Sequence, residues 1–160
     1  MSCEDGSMDE TAFPPADLES FLQLCAGRWM CLRSRFDLES AEDQRHTSER
    51  GEVTVNAALK DSPWMLTVEA ADGASSELLF AANGELTLRS PASKRTGRWQ
   101  FRPDASLELE VIEGDTRVLE RIWFIKPNLR LRSTTATAAE GRPVQARFCS
   151  EIRRVSPPQS

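Results

Sequence analysis

The stretch Glu120-Arg-Ile-Trp-Phe-Ile-Lys-Pro-Asn-Leu-Arg-Leu-Arg132 is the most informative part of this chain. It predicts two β-strands joined by a turn at Pro127-Asn128. Side chains alternate along a strand, so the second strand turns its two leucines to one face and its polar side chains to the other. These polar side chains are Asn128, Arg130 and Arg132.

Two arginines on one face of a strand need either an anionic neighbour or open water. Glu120 lies on the same hairpin, and its carboxylate can point into the same space. This combination predicts a site for a molecule that carries carboxylates together with a cationic or protonatable centre. The alternative is a solvated strand face with no ligand at all.

A helix is predicted near the N-terminus. Asp17 is a good N-cap, and Gly27 lies where a helix would stop. Between them, apolar residues recur at helical spacing and form one stripe. The stripe consists of Leu18, Phe21, Leu22 and Cys25.

Short strands then follow one another along the rest of the chain. Residues 52–57 alternate, and two further strands flank Asn83-Gly84, which is a strong two-residue hairpin signal. More strands are predicted at 97–102, 107–112, 118–125, 129–137 and 144–153. A helix followed by about eight to ten antiparallel strands predicts a mostly-β fold that closes into a barrel, and a barrel of this size can hold one small ligand.

One segment departs from the strand rhythm. Ser62-Pro63 before Trp64–Ala71 supplies an N-cap and a proline at the first helical position, and Asp72-Gly73 supplies a stop. These signals predict a short second helix. The β-branched residues of the segment also permit a strand.

Composition limits the class of protein. The chain has 160 residues, which is enough for one domain with a core. Its net charge of −5 argues against a nucleic-acid role. No apolar run reaches the length of a membrane span, and the acidic N-terminus does not resemble a signal peptide. We expect disordered tails at 1–15 and 156–160, a single domain at 16–155, and a cytoplasmic location.

The cysteines and the histidine exclude several kinds of site. The four cysteines, Cys3, Cys25, Cys31 and Cys149, have no zinc-type spacing, and His46 is the only histidine. We therefore expect no metal site and no histidine-based triad. Cys25 and Cys149 are interpreted as small buried apolar residues, with a transient covalent adduct on one of them as the alternative.

Three blocks carry a resemblance to a known family. The Glu120–Arg132 stretch, Phe148-Cys-Ser-Glu-Ile-Arg-Arg154 and Ala26-Gly-Arg-Trp29 are similar to the S-type (CpcS/CpeS-like) phycobiliprotein lyases of cyanobacteria and related algae. A CpcU/CpeU-type member is one alternative within that family. The two C-terminal blocks are long and specific, whereas about residues 40–94 match weakly.

The resemblance implies a function and a set of site residues. It implies a lipocalin-like (calycin) barrel that binds an open-chain tetrapyrrole, phycocyanobilin or phycoerythrobilin, and attaches it by a thioether to a cysteine of a phycobiliprotein α or β subunit. Glu120 would be the acidic partner of the pyrrole nitrogens. Arg33, Asn128, Arg130 and Arg132 would bind the bilin, the arginines through its propionates.

The resemblance also implies the protein's surroundings. The bilin would be the substrate, and no prosthetic group is expected. The chain would work near phycobilisome assembly, on the stromal side in a plastid. It would act alone, as a homodimer, or as a heterodimer with a related lyase subunit.

Trp29 has a different implied role. Gly27-x-Trp29 resembles the lipocalin-type signature, in which the tryptophan packs at the closed end of the barrel under an arginine from a late strand. Arg153 or Arg154 is the candidate partner through a cation–π contact. We therefore predict structural roles for Trp29 and Arg153.

The sequence also departs from the family's pattern. Family members often have a histidine shortly after the position of Trp29, and here Ser34–Asp37 contains none. The flanks of Asn83-Gly84 lack the family's tryptophans. Two alternatives therefore remain open: a non-catalytic bilin carrier or partner subunit of a heteromeric lyase, and a lipocalin-like barrel with an unrelated ligand.

Overall fold

A computed structural model describes residues 12–41 and 45–155. Most of the predicted N-terminal tail, up to residue 11, and the predicted C-terminal tail at 156–160 lie outside the described residues. Of the rest of the predicted N-terminal tail, Pro15 is buried. Within the described ranges, no helix has the length and apolar character that crossing a membrane requires.

The helix α1 spans Leu18–Cys25. Its predicted cap is confirmed, because the Asp17 carboxylate accepts a hydrogen bond from the Ser20 backbone N–H at 2.9 Å. The predicted apolar stripe is buried along its whole length. Gly27 follows the C-cap residue Ala26 with φ +139°, a backbone conformation that residues with a Cβ rarely adopt.

Ten strands follow α1 in the described part of the chain and form a closed antiparallel barrel. Each strand pairs with the next in sequence, and the last pairs with the first. The predicted mostly-β barrel is therefore confirmed. The strands are β1 (Gly27–Asp37), β2 (His46–Ala58), β3 (Trp64–Ala70), β4 (Ser75–Phe80), β5 (Glu85–Ser90), β6 (Ser93–Phe101), β7 (Leu107–Glu113), β8 (Thr116–Lys126), β9 (Leu129–Thr137) and β10 (Pro143–Arg153).

The predicted second helix is wrong. Residues Trp64–Ala70 form β3, which pairs with β2 on one side and β4 on the other. Trp64, Leu66 and Val68 alternate along it and pack in or against the core. The local N-cap and stop signals are outweighed because a strand here completes two ladders of backbone hydrogen bonds, whereas a helix would open the barrel.

The predicted turns occur where strands meet. Pro127-Asn128 connects β8 to β9 as expected. The connection between β4 and β5 contains Asn83-Gly84 but is four residues long, from 81 to 84. Within it the Gly84 N–H donates to the Ala81 carbonyl at 3.0 Å. Gly84 has φ +94°, which explains the glycine at this position.

Gly97 allows two strands to approach closely. It lies on β6 opposite Val111 of β7. A Cβ at this position would overlap the backbone carbonyl oxygen of Glu110 and lie 3.0 Å from a Val111 methyl. By contrast, a Cβ at Gly51 on β2 would meet no atom within 4 Å. A glycine is therefore sterically required at residue 97 and not at residue 51.

Candidate functional site

The barrel encloses a cavity of about 310 Å³, a volume within the range of small-molecule sites. Buried residues of α1, including Phe21 and Cys25, line it at one end, and the partly exposed side chains of Arg95 and Arg147 line it at the other. The cavity is therefore closed at the helix end and open at the opposite rim.

The two sides of the cavity wall differ in polarity. Strands β2 to β5 and β7 contribute mainly aliphatic side chains: Val53, Val55, Leu66, Val68, Leu78, Leu88, Leu107 and Leu109. Strands β1 and β8 to β10 contribute most of the charged ones: Arg33, Glu120, Arg130, Arg132, Arg147 and Glu151. A ligand that fits this cavity has one apolar flank and one flank with ionic groups.

Trp29 lies at the closed end and is fully buried. Its indole N–H donates to the Cys25 carbonyl at 2.9 Å. The guanidinium carbon of Arg153 lies 4.3 Å from the indole centroid and that of Arg130 lies 4.7 Å from it. Both distances are within the cation–π range. The structure thus places Trp29 beneath Arg153, as the sequence predicted, and adds Arg130 as a second cation.

Arg153 also closes the end of α1. It donates to the backbone carbonyls of Leu24, at 2.5 Å, and of Ala26, so it satisfies acceptors that the helix leaves free. Its Nε donates to the Asn128 side-chain oxygen at 2.9 Å. Asn128 is thereby held at the closed end of the barrel, and the structure does not bring it to the cavity with the other predicted ligand-binding residues.

Two of the predicted arginines, Arg130 and Arg132, meet Glu120 in one network, together with a carboxylate that the sequence reasoning missed. Glu151 on β10 accepts from the Arg130 Nε at 2.6 Å and from Arg132 at 3.4 Å. Arg132 donates in turn to Glu120 at 3.0 Å, and Thr134 donates to the same Glu120 oxygen at 3.3 Å. The order Arg130, Glu151, Arg132, Glu120 runs from the closed end toward the opening.

The inner and outer pairs of this network differ in exposure. The side chains of Arg130 and Glu151 are 3% and 4% exposed, whereas those of Arg132 and Glu120 are 27% and 22% exposed. Burial alone would raise the pKa of Glu151, but Arg132 and Arg130 outweigh it, and the pKa falls to about 2. The inner pair is thus a fixed charge pair, whereas the outer pair faces the cavity, where a ligand could take the place of either partner.

Arg33 is the third predicted arginine. It lies on β1 and lines the cavity, where its guanidinium donates to the exposed Glu49 at 3.0 Å. Arg147 on β10 also lines the cavity, and within the described residues no carboxylate lies within 4.0 Å of it. The opening therefore carries positive charge beyond the arginines that the sequence singled out.

Glu151 and Arg147 could have been found from the strand period. On β10 the inward positions alternate as Arg147, Cys149, Glu151 and Arg153. The predicted cation–π role of Arg153 fixes which face of β10 points inward, and counting back in steps of two gives the other three. What the sequence could not show is that Glu151 lies opposite Arg130 on β9.

Comparisons with known proteins give the same family. A sequence model of the family described as CpeS-like protein matches residues 83–154. A protein named chromophore lyase CpcS/CpeS 1 from Paulinella chromatophora is 41% identical over 149 residues, covering 91% of this chain and 93% of the relative. A protein of the same name from Trichodesmium erythraeum is 28% identical over 171 residues, covering 84% and 96%.

A solved structure supports the fold. The structure of the S-type phycobiliprotein lyase CpeS from Guillardia theta superposes with a TM-score of 0.66 at 21% identity, covering 87% of this chain and 93% of that one. At this level of identity the match supports the barrel architecture alone.

Proposed function

Because this chain belongs to the CpcS/CpeS chromophore lyase family, we propose that its cavity binds an open-chain tetrapyrrole through Glu120, Arg132 and Arg33. As a lyase of that family, the protein attaches a bilin chromophore to a phycobiliprotein. We propose phycocyanobilin or phycoerythrobilin as the bilin, and a cysteine of a phycobiliprotein α or β subunit as its attachment point.

The observation that carries the assignment is the half-buried Arg132–Glu120 pair on the cavity wall. A bilin has pyrrole N–H donors and two propionates. If Glu120 accepts from the pyrrole nitrogens, it favours the protonated, more electrophilic bilin. Arg132 is then free to bind a propionate, so ligand binding replaces the Arg132–Glu120 ion pair by two charge-assisted contacts with the bilin.

The other arginines divide into two groups. Arg33 and Arg147 line the cavity nearer its opening and are the candidates for the second propionate. Arg130, which the sequence suggested as a bilin ligand, is buried against Glu151 and Trp29, so we assign it to holding that carboxylate. We assign Asn128 to holding Arg153, because its side chain accepts from the Arg153 Nε.

The size of the cavity supports a delivery role. A tetrapyrrole is larger than a cavity of about 310 Å³, so part of it would extend through the opening. A client thiolate could then reach the ring-A substituent without entering the barrel. The lyase would contribute orientation and charge placement, and the nucleophile would come from the client.

The remaining proposals concern the surroundings of the reaction. The bilin is substrate, and we propose no prosthetic group and no nucleic-acid partner. We propose that the chain works in the cytoplasm, or on the stromal side of a plastid, close to phycobilisome assembly. It acts alone, as a homodimer, or with a related lyase subunit. A non-catalytic carrier is the second candidate, because Glu120 and Arg132 would bind a bilin equally well without transfer.

Co-expression with bilin biosynthesis enzymes and a panel of phycobiliprotein subunits tests this function. The readout is zinc-induced fluorescence of the client on denaturing gels. We expect a client that is labelled only when this chain is present, and Glu120→Gln should lower labelling by at least about 100-fold.

The matched control is Glu108→Gln. Glu108 has the same 22% side-chain exposure as Glu120 and also bonds an arginine at 3.0 Å, but it does not line the cavity. This control should label the client normally. Bilin that co-purifies without a labelled client would point to the carrier or partner-subunit alternative, and the absence of both would contradict the proposal.

A further inference from the structure

Two buried thiols face each other across the seam where the barrel closes. Cys31 lies on β1 and Cys149 on β10, and both are at most 5% exposed. In the ladder between these strands Cys31 is opposite Glu151, and Arg33 is opposite Cys149, so the two cysteines are diagonal neighbours. The two sulfur atoms and a Glu151 carboxylate oxygen all lie within 4.8 Å of one another.

Cys149 has cations on both sides. Its partner on β1 is Arg33 and its partner on β9 is Arg132, so it lies between the two arginines that we assign to the ligand. It also lines the cavity. A thiol that a ligand can reach, flanked by guanidinium groups, is the setting in which a cysteine becomes nucleophilic.

The two thiols differ in how readily they lose a proton. The neighbouring Cys31 thiol lowers the pKa of Cys149, and Arg132 and Arg33 lower it too, while burial and Glu151 oppose them. Cys149, burial and Glu151 all raise the pKa of Cys31. The Cys31 S–H donates to the Glu151 carboxylate at 3.5 Å, so Cys31 is the thiol that keeps its proton.

Two other uses of this cluster are less favourable. A metal ion bound by the two sulfurs and Glu151 would compete for that carboxylate with two arginines, since Arg130 donates to it at 2.6 Å and Arg132 lies 3.4 Å from it. A disulfide would need an oxidant and would consume both thiols. The arrangement of donors and cations instead stabilises one anionic sulfur.

We propose that Cys149 forms a reversible thioether with the conjugated exocyclic double bond of the bound bilin. In this step the S–H bond and the carbon–carbon π bond break, and a C–S bond and a C–H bond form. The proton ends on the ring carbon, so the addition needs no oxidant, reductant or leaving group. The inference rests on the proposed function, because it concerns the same cavity and ligand.

The addition would retain the bilin until a client arrives. Reversal by elimination restores the double bond and the thiol, and the client cysteine then adds to the same carbon. Since both thioethers have similar chemistry, transfer is driven by the stability of the chromophore in the client. Cys149 is therefore an anchoring nucleophile, and the proposed role of Glu120 is unchanged.

The test uses the purified chain with phycocyanobilin or phycoerythrobilin and no client. After denaturation, we expect zinc-induced fluorescence on the chain and a peptide containing Cys149 whose mass is increased by that of one intact bilin. Cys149→Ser should remove this signal, whereas Cys25→Ser, a buried thiol at the closed end of the same cavity, should retain it.

A second measurement does not depend on a variant that folds. In the wild-type chain at neutral pH, N-ethylmaleimide should modify Cys149 at least about tenfold faster than Cys25, and bound bilin should protect it. Cys31→Ala should slow this modification, because the neighbouring thiol that lowers the pKa of Cys149 is lost. Equal rates for Cys149 and Cys25 would overturn the nucleophile assignment.

The two proposals fail in different ways. If bilin binds the wild-type chain but is fully extracted on denaturation, and clients are still labelled, the thioether on Cys149 is refuted and the lyase function stands. If the chain neither binds bilin nor labels any client, the proposed function is refuted and the thioether with it.

Discussion

Replacing Glu151 by glutamine should destabilise the barrel more than any other single loss of charge in the cavity. The substitution preserves the shape of the side chain and removes its charge. Arg130 would then keep a guanidinium that is 3% exposed, and no other carboxylate of the described residues lies within 4.0 Å of it. Arg130 also lies beside a second cation, since both it and Arg153 contact Trp29.

The expected size of the effect follows from two independent estimates. Removing one partner of a buried ion pair costs about 3–5 kcal/mol. The pKa of Glu151 falls from 4.5 to about 2, a shift that corresponds to roughly 3 kcal/mol of preference for the charged form in the folded state. We therefore expect Glu151→Gln to lower the free energy of unfolding by about 3–5 kcal/mol, which is a large share of the stability of a typical domain.

Equilibrium unfolding in urea, followed by tryptophan fluorescence, measures this loss. The midpoint should fall by roughly 2 M at an unchanged slope. The matched control is Glu77→Gln, which removes a carboxylate bonded to Arg89 at 2.7 Å but 36% exposed. This exposed pair should contribute less than about 1 kcal/mol.

A double-mutant cycle isolates the pair itself. Arg130→Met combined with Glu151→Gln should cost less than the sum of the two single substitutions by at least about 1 kcal/mol, because each single change strands the other charge. Additive losses, or a loss for Glu151→Gln no larger than that for Glu77→Gln, would refute the reasoning that this pair is a buried structural element.

Three further predictions concern stability. Gly97→Ala should lower the free energy of unfolding by about 1–3 kcal/mol, because the new Cβ would overlap the backbone of the next strand. The control Gly51→Ala should change it by less than about 0.5 kcal/mol. Thermal unfolding of both variants distinguishes a steric requirement from a general preference for glycine. Trp29→Phe should lower the free energy of unfolding in urea by about 2–4 kcal/mol, because it removes the hydrogen bond to Cys25 and much of the contact with two guanidinium groups. The control Trp123→Phe, at a half-buried position, should lower it by less than half as much. The contribution of the Glu151 charge to stability should be complete above pH 4.5 and lost as the pH falls through about 2. Between pH 5 and 2, the free energy of unfolding of the wild type should therefore fall by about 3 kcal/mol more than that of Glu151→Gln. Parallel curves of unfolding free energy against pH would contradict the lowered pKa of Glu151.

Much of the fold was readable from local pattern. The Asp17 cap, the buried stripe of α1 and the turn at Pro127-Asn128 are all confirmed, because each depends on residues a few positions apart. The segment from Ser62 to Ala71 shows the limit of such reasoning. Its end signals favoured a helix, and its pairing with two neighbouring strands made it β3.

The candidate site was only partly readable for the same reason. Arg130 and Arg132 were expected on one face of β9, and the structure places both inside the barrel. Their separate roles depend on depth: Arg130 is buried against Glu151, whereas Arg132 reaches Glu120 near the open cavity. Depth along a barrel follows from how each strand is staggered against its neighbours, and no single strand encodes it.

By itself, the sequence determined the helix, nearly all of the strands and the fact that Arg130 and Arg132 share one face of β9, because strand and helix periods are local properties of the chain. The family followed from the resemblance of three short blocks. Only the tertiary structure decided that Glu151 bridges two arginines and that Cys31 lies beside Cys149. Cys31 and Glu151 are 120 residues apart in sequence and become neighbours where β1 meets β10. That seam forms only when the last strand closes the barrel on the first, so its contacts depend on the register of every strand between them.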